Sequence, residues 1–281
     1  MSAYHQEKTG ANIISSERNS FSTGVEEIWS YRELLFFLIL RDLKIKYRQT
    51  LIGVSWVVIQ PLLSSLIFSV IFGHFLGLGS SGSHPYLVIV LCAFLPWNLF
   101  ANSTLMAVDS LVMSRDLVTK VYFPRIILPT YVILKNLVDF CVATAFFVVI
   151  LFIYKIRISS AIAYLPLFLL LGIILAMGAS FWLSALNVRY RDIRNAVPFL
   201  IQIWFYCSPV AYTINIIPAH WRFLYYLNPM AIIIDGFRLS FLGSPLIFTN
   251  SFILAVIILF FIFFSGLYYF LRTEDSFADI V

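Results

Sequence analysis

The sequence predicts an all-α integral membrane protein: six transmembrane helices, an amphipathic helix at the cytoplasmic interface before them, and short re-entrant helices on the outer side between spans five and six. Three observations lead there. Of 281 residues, 61% are apolar and only 12% charged, and the mean hydropathy is +0.92; soluble chains carry about twice that share of charge. Apolar runs cover Val54–Gly77, Tyr86–Val112, Ile126–Tyr154, Ser159–Leu186, Ala196–Tyr212 and Asn250–Leu271. About 20 helical residues cross a hydrocarbon core of roughly 30 Å, so six spans are expected. The third observation is the placement of cations. Of the 19 Lys and Arg, 14 fall on the side of the termini: the segment through Gly53, the loop around Arg115–Arg125, the loop Asn187–Asn195 and the tail. Four (Lys155, Arg157, Arg222 and Arg238) fall on the other side, and Lys135 lies within a span. Lys and Arg accumulate in cytoplasmic loops, so both termini are expected in the cytoplasm.

Taken in order, residues 1–25 are polar, rich in Ser and Asn, and read as a flexible cytoplasmic arm. They hold no apolar stretch of the kind a cleavable signal peptide needs. Residues 26–49 follow. Their apolar run Leu34–Leu40 is too short to cross, and it is framed by Glu26, Glu27, Arg32, Glu33 and by Arg41, Asp42, Lys44, Lys46, Arg48. Such a segment is expected to lie as a helix in the headgroup region. The first span carries Gln60-Pro61 and the second Phe94-Leu95-Pro96-Trp97-Asn98; a proline inside a helix removes a hydrogen bond and bends the rod.

The cytoplasmic segment 114–124 starts with Ser114 as an N-cap, bears charge at Arg115, Asp116 and Lys120, presents Leu117, Val121 and Phe123, and stops at Pro124. That spacing predicts a short amphipathic helix. In the fourth span Gly172, Ala176 and Ala179-Ser180 provide the small-residue spacing that lets membrane helices pack closely. Residues 214–246 are apolar but broken by Pro218, Pro229 and Pro245, with His220, Trp221, Asp235 and Arg238 among them. They are long enough to enter the membrane and return, too short for a folded domain. Irregular backbone at membrane depth must be buried in protein or face a cavity, so a pair of re-entrant helices is expected.

Chemistry-bearing residues are few. Lys135 and Asp139 stand four apart on the third span and are expected to neutralise each other; Asp235 and Arg238 invite the same reading. No chain of acids forms a proton relay, and no inverted repeat marks a secondary transporter. Cys92, Cys141 and Cys207 lie in apolar segments without metal-ligand spacing and are read as small core hydrophobes. Gly77-Leu78-Gly79-Ser80-Ser81-Gly82 has the glycine spacing of a phosphate loop, but Ser83 stands where the lysine belongs. Neither a catalytic residue nor a metal set is expected, and the net charge of +5 suits anionic lipid rather than nucleic acid.

Aromatics are abundant: 28 Phe, 15 Tyr and 6 Trp. Many belong to interfacial belts. Phe94, Trp97, Phe100, Trp204, Phe205 and Tyr206 instead sit at kinked or proline-flanked places, where their flat faces suit the apolar faces of sugar rings. A substrate pathway and plain packing both remain open for them.

The run Arg41-Asp42-Leu43-Lys44-Ile45-Lys46-Tyr47-Arg48-Gln49-Thr50-Leu51-Ile52-Gly53-Val54-Ser55-Trp56, followed by Gln60-Pro61, resembles the opening of permeases of polysaccharide-exporting type-2 ABC transporters. So do Leu95-Pro96-Trp97, Leu117-Val118-Thr119-Lys120-Val121-Tyr122-Phe123-Pro124-Arg125 and Asn187-Val188-Arg189-Tyr190-Arg191-Asp192. Ser208-Pro209-Val210, Leu227-Asn228-Pro229-Met230 and the tail Phe277-Ala278-Asp279-Ile280 continue the likeness from about residue 30 onward. The resemblance implies a homodimer of six-span subunits in the inner membrane, joined by two ATPase subunits that bind the ATP and Mg, with no cofactor in this chain. Its substrate would be an undecaprenyl-diphosphate-linked glycan, O-antigen as the leading reading, with capsule and teichoic-acid exporters sharing the motifs. The ATPase-coupling helix maps onto Arg115–Phe123, with Arg115, Asp116, Leu117, Lys120, Val121 and Phe123 as its contacts. Gate helices map onto Ile214–Leu242, and the first, second and fifth spans would line the channel. An ion-coupled carrier or flippase without an ATPase is the alternative; a membrane-embedded transferase lacks any converging cluster of Asp, Glu and His.

Overall fold

A computed structural model describes residues 29–48, 53–75, 77, 84–213, 217–244 and 250–277. The arm 1–25 and the glycine loop 78–83 lie outside the described residues. Within them every regular element is helical. Helix α1 covers Arg32–Arg48, and α2 covers Gly53–Phe68, with Pro61 inside it, before the coil widens to a π-helix over Ser69–Phe75. Helices α3 (Tyr86–Met113), α4 (Arg115–Lys120), α5 (Ile127–Ile153) and α6 (Leu165–Arg189) follow, the last preceded by a 3₁₀ turn at Ser160–Tyr164. Then come α7 (Ile193–Tyr206), α8 (Ala219–Tyr226), α9 (Pro229–Leu242) and α10 (Asn250–Thr273), closed by a 3₁₀ turn at Glu274–Ser276.

Among the described residues five helical segments are long and apolar enough to cross a membrane: Ser55–Phe75, Tyr86–Met113, Ile127–Ile153, Ser160–Arg189 and Phe252–Ser276. The run 196–212 does not form a sixth rod of that length. Its helix α7 has 14 residues, about 21 Å at 1.5 Å each, and turns out of helical geometry from Cys207 onward.

The long helices are arranged around α3. It is 78% buried over its apolar window and packs against α2, α5, α6, α7 and α9. The α6–α10 crossing is set by two glycines. A Cβ on Gly178 would stand 2.6 Å from Phe263 Cα, and one on Gly266 would stand 2.4 Å from the Gly178 carbonyl. Neither position has room for a methyl group, so the backbones approach as small residues allow. Beside this crossing Trp182 stacks on Tyr269 at 4.5 Å and its Nε1 donates to Ser265 Oγ at 3.0 Å. Gly178 is the close-approach residue of this crossing, while Gly172, Ala176, Ala179 and Ser180 are likewise buried.

Three other expectations are corrected. Lys135 and Asp139 do not pair with each other. Both reach α1 instead: Lys135 Nζ lies 3.3 Å from Asp42 Oδ2, and Lys46 Nζ lies 2.5 Å from Asp139 Oδ2. The two i,i+4 pairs are opposite in order, Asp then Lys on α1 and Lys then Asp on α5, so parallel helices satisfy both at once. Cys92 is buried as expected, but Cys141 and Cys207 are exposed. Ser114 stands at the N-cap of α4 without a side-chain capping bond.

Candidate functional site

The segment 114–124, expected from the sequence to couple to an ATPase, grows directly from α3. Ser114 ends α3 by donating its N–H to Ser110 O, and its own carbonyl accepts from Leu117 N and Val118 N, which starts α4. The helix is only six residues long, so its own hydrogen bonds hold it weakly. Tertiary packing holds it instead. Val118 and Phe123 are buried in a cluster with Leu35 and Leu38 of α1, Ile126, and Phe270 and Phe277 from the chain end. Just beyond, Arg125 is fixed to the tail: its N–H donates to Glu274 Oε1 at 2.6 Å and its Nη1 to Glu274 O at 2.7 Å.

The remaining face is open. Arg115, Asp116, Thr119 and Lys120 are exposed, Leu117 is half-buried, and Val121 and Tyr122 are 52% and 67% exposed. Lys120 Nζ lies 2.7 Å from Asp116 Oδ1; this hydrogen bond from the ammonium holds the Asp116 carboxyl below its usual range. Of the apolar positions assigned to coupling from sequence, Val121 faces outward, whereas Phe123 is 6% exposed within the chain's own core. Tyr122, which sequence reasoning passed over, is the larger exposed group.

The aromatic residues converge. Phe205 of α7 lies 5.9 Å from Phe94 and 5.3 Å from Trp97 of α3, and 5.9 Å from Phe68 of α2. Trp97 meets Phe100 at 5.9 Å, and Phe100 meets Trp204 edge-on at 4.9 Å. Tyr206 touches Phe205 at 5.5 Å and is 62% exposed. All six residues singled out from the sequence therefore belong to one layer joining α2, α3 and α7. Phe94, Trp97 and Phe100 are buried within it, and Tyr206 is its exposed member.

Below the layer's outer edge, polar contacts lock α7 to the α8–α9 region. Trp204 Nε1 donates to Asn228 Oδ1 at 2.9 Å, and Asn228 Nδ2 donates to Ser208 Oγ at 2.9 Å and Cys207 O at 3.2 Å. Arg238 of α9, 3% exposed, donates from Nη2 to Val210 O at 3.2 Å and from Nη1 to Asp235 Oδ1 at 3.3 Å. The Asp235–Arg238 pair is thus present as read from the sequence. A cavity of 640 Å³ opens here among Trp204, Tyr206, Tyr212, Trp221 and Tyr225.

Residues 33–242 match the family described as ABC-2 type transporter. The chain belongs to this family. A relative from Myxococcus xanthus, an O-antigen export system permease protein RfbA, is 29% identical over 219 residues, covering 77% of this chain and 83% of its own length. A Klebsiella pneumoniae protein of the same description is 27% identical over 257 residues, covering 89% and 95%. An inner membrane transport permease, YadH of Escherichia coli, is 25% identical over 223 residues, covering 74% and 86%. The chain is accordingly a multi-pass membrane protein of the transporter-permease type rather than an enzyme in itself.

Proposed function

We propose that this chain is the membrane-spanning subunit of an ATP-driven exporter of an undecaprenyl-diphosphate-linked polysaccharide, O-antigen in the first instance. The observation that carries the reading is the match over residues 33–242 together with relatives described as O-antigen export permeases across most of their length. ATP and Mg would be bound by a separate ATPase subunit, two copies of which would serve a homodimer of this chain in the inner membrane.

A sixth crossing is supported by the contacts at the two ends of α7. Arg194 Nε lies 3.2 Å from Asp109 Oδ2 at one end of α3, and beyond the helix the Ala211 carbonyl accepts from the Tyr86 hydroxyl at the other end. The segment 193–211 therefore runs the length of α3 although its helix is short. Re-entrance of α8 and α9 is supported in the same way. Asn228 bonds to Trp204 at the level of the aromatic layer, while the α9 end accepts from Ser159 N and lies 3.1 Å from His84 Nε2. Deletion of the gene, followed by analysis of surface polysaccharide and of lipid-linked glycan retained in the cytoplasmic leaflet, tests the function. Loss of the surface polymer with intracellular accumulation is expected; an unchanged surface ladder contradicts it.

Of the six rings, Tyr206 and the half-buried Trp204 and Phe205 are open to a sliding polymer, to which flat faces would give weak repeated contacts of roughly 1 kcal/mol each rather than one deep well. An ion-coupled carrier finds little support: Asp42, Asp109, Asp139 and Asp235 each sit within ion-pair distance of a cation.

A further inference from the structure

Beside the aromatic layer lies a second cavity, of 450 Å³, partly open and lined by α1, α2, α3 and α5. Its α3 wall carries Asn98 and Asn102, one helical turn apart, and its α2 wall carries Gln60 and Trp56. Lys46 and Asp139 complete it. At 100° per residue Asn98 and Asn102 point away from Trp97 and Phe100, while Phe94, one turn before Asn98, borders both sites.

Its chemistry differs from the rest of the membrane domain. The side-chain amides of Gln60, Asn98 and Asn102 make no hydrogen bond within the described residues. Gln60 and Asn102 are exposed and Asn98 half-buried, so these three groups, within spans of hydrocarbon length, are open to a hydrogen-bonding ligand. The charged groups in its described lining, Lys46 and Asp139, are of opposite sign and lie 2.5 Å apart. The indole of Trp56 is 57% exposed and offers a flat face. Neutral amides that both donate and accept, a carboxylate edge and an indole face fit a polyhydroxyl ring.

We propose that this cavity binds a sugar residue carried on a membrane lipid, in the half of the bilayer where α1 lies. The sugar would come either from the lipid-linked export substrate or from a resident glycolipid; only the first source rests on the export reading above. In either case Asn98, Asn102 and Gln60 hold the hydroxyls, and the Lys46–Asp139 pair ties the site to α1.

Photocrosslinking in intact membranes tests this, with the ATPase complex assembled and p-benzoylphenylalanine in place of Met106, an exposed lining residue. The same probe in place of Phe264, exposed on α10, serves as control. Mass analysis of the adducts is expected to find glycolipid at position 106 and only phospholipid at position 264. Adding Asn98→Ala and Asn102→Ala should lower the glycolipid yield about tenfold, as two lost hydrogen bonds imply. Gln60→Ala alone should lower it less, with unchanged complex recovery showing that the fold persists. Phospholipid alone at position 106, or a glycolipid yield indifferent to these changes, overturns the proposal. Cells unable to attach the first sugar to the export lipid carrier separate the sources: the adduct vanishes if it is substrate and persists if it is a resident glycolipid. Failure of the export reading would instead appear as an unchanged surface glycan after gene deletion, whatever is captured at position 106.

Discussion

The two layers of this molecule are built on opposite logics. The layer around α4 is bolted down from behind and open in front: Val118 and Phe123 are buried against α1 and the chain end, and Arg125 is clamped to Glu274, while Arg115, Asp116, Val121 and Tyr122 face outward. The aromatic layer of α2, α3 and α7 is closed within the chain, its rings packed on one another with Tyr206 as the exposed edge. A surface that must transmit force needs a rigid backing and a free face. On the proposed function a polymer would pass the open edge of the aromatic layer, and the rest of that layer is packed within the subunit. Residue type alone does not separate backing from face. Phe123 and Tyr122 are adjacent aromatics with opposite roles.

That contrast can be broken by mutation. The largest effect is expected at Phe123. Phe123→Asp places a charge in a fully packed apolar cluster, and even truncation of a buried Phe to Ala costs about 3–5 kcal/mol, so the protein should fail to accumulate. Gly178→Leu should be nearly as damaging, since its Cβ would overlap the Phe263 backbone; the amount of each variant in the membrane fraction, against wild type, reads both.

Next comes the brace between α1 and α5. Lys46→Asp leaves two carboxylates facing each other and should destabilise by roughly 3 kcal/mol, as for a broken partly buried pair. Combining it with Asp139→Lys should recover most of the loss. Failure of the exchange to rescue would mean that the pair does not hold α1 in place.

How much of this was legible in the sequence follows from the kind of signal. Apolar run length and cation placement marked the long helices because burial in lipid leaves a compositional trace. The fifth run lacked a separate trace for its end: Cys207-Ser208-Pro209 turns the chain inside an apolar stretch, where composition does not change. Pairing partners were misread for a different reason. Lys135 and Asp139 are neighbours on their helix, but Asp42 and Lys46 carry the same spacing in reverse order, and that complementary pattern was available in the sequence. The six aromatics were gathered by their proline-flanked positions, whereas which rings are buried depends on helix rotation that a run without polar punctuation does not encode.

Smaller effects sharpen the comparison further. Tyr206→Ala should leave the melting temperature near wild type and reduce glycan export, whereas Trp97→Ala should lower stability first, by about 3 kcal/mol; a Trp97→Ala protein that is stable but export-defective would assign the buried rings to the pathway. The smallest effect belongs to Asp116. Its carboxyl is held below the ordinary range by Lys120, so the ion pair persists at neutral pH and is lost only as pH falls through that depressed value. The pair is exposed, and such pairs contribute little; Asp116→Asn should not move the melting temperature measurably at neutral pH.

The central claim, a free coupling face on a fixed base, is tested most directly by recovery of the ATPase subunit with the Val121→Asp/Tyr122→Asp double variant, purified alongside wild type. The account predicts that the variant accumulates and melts as wild type does but no longer brings down the ATPase. Full ATPase recovery by that variant would contradict it.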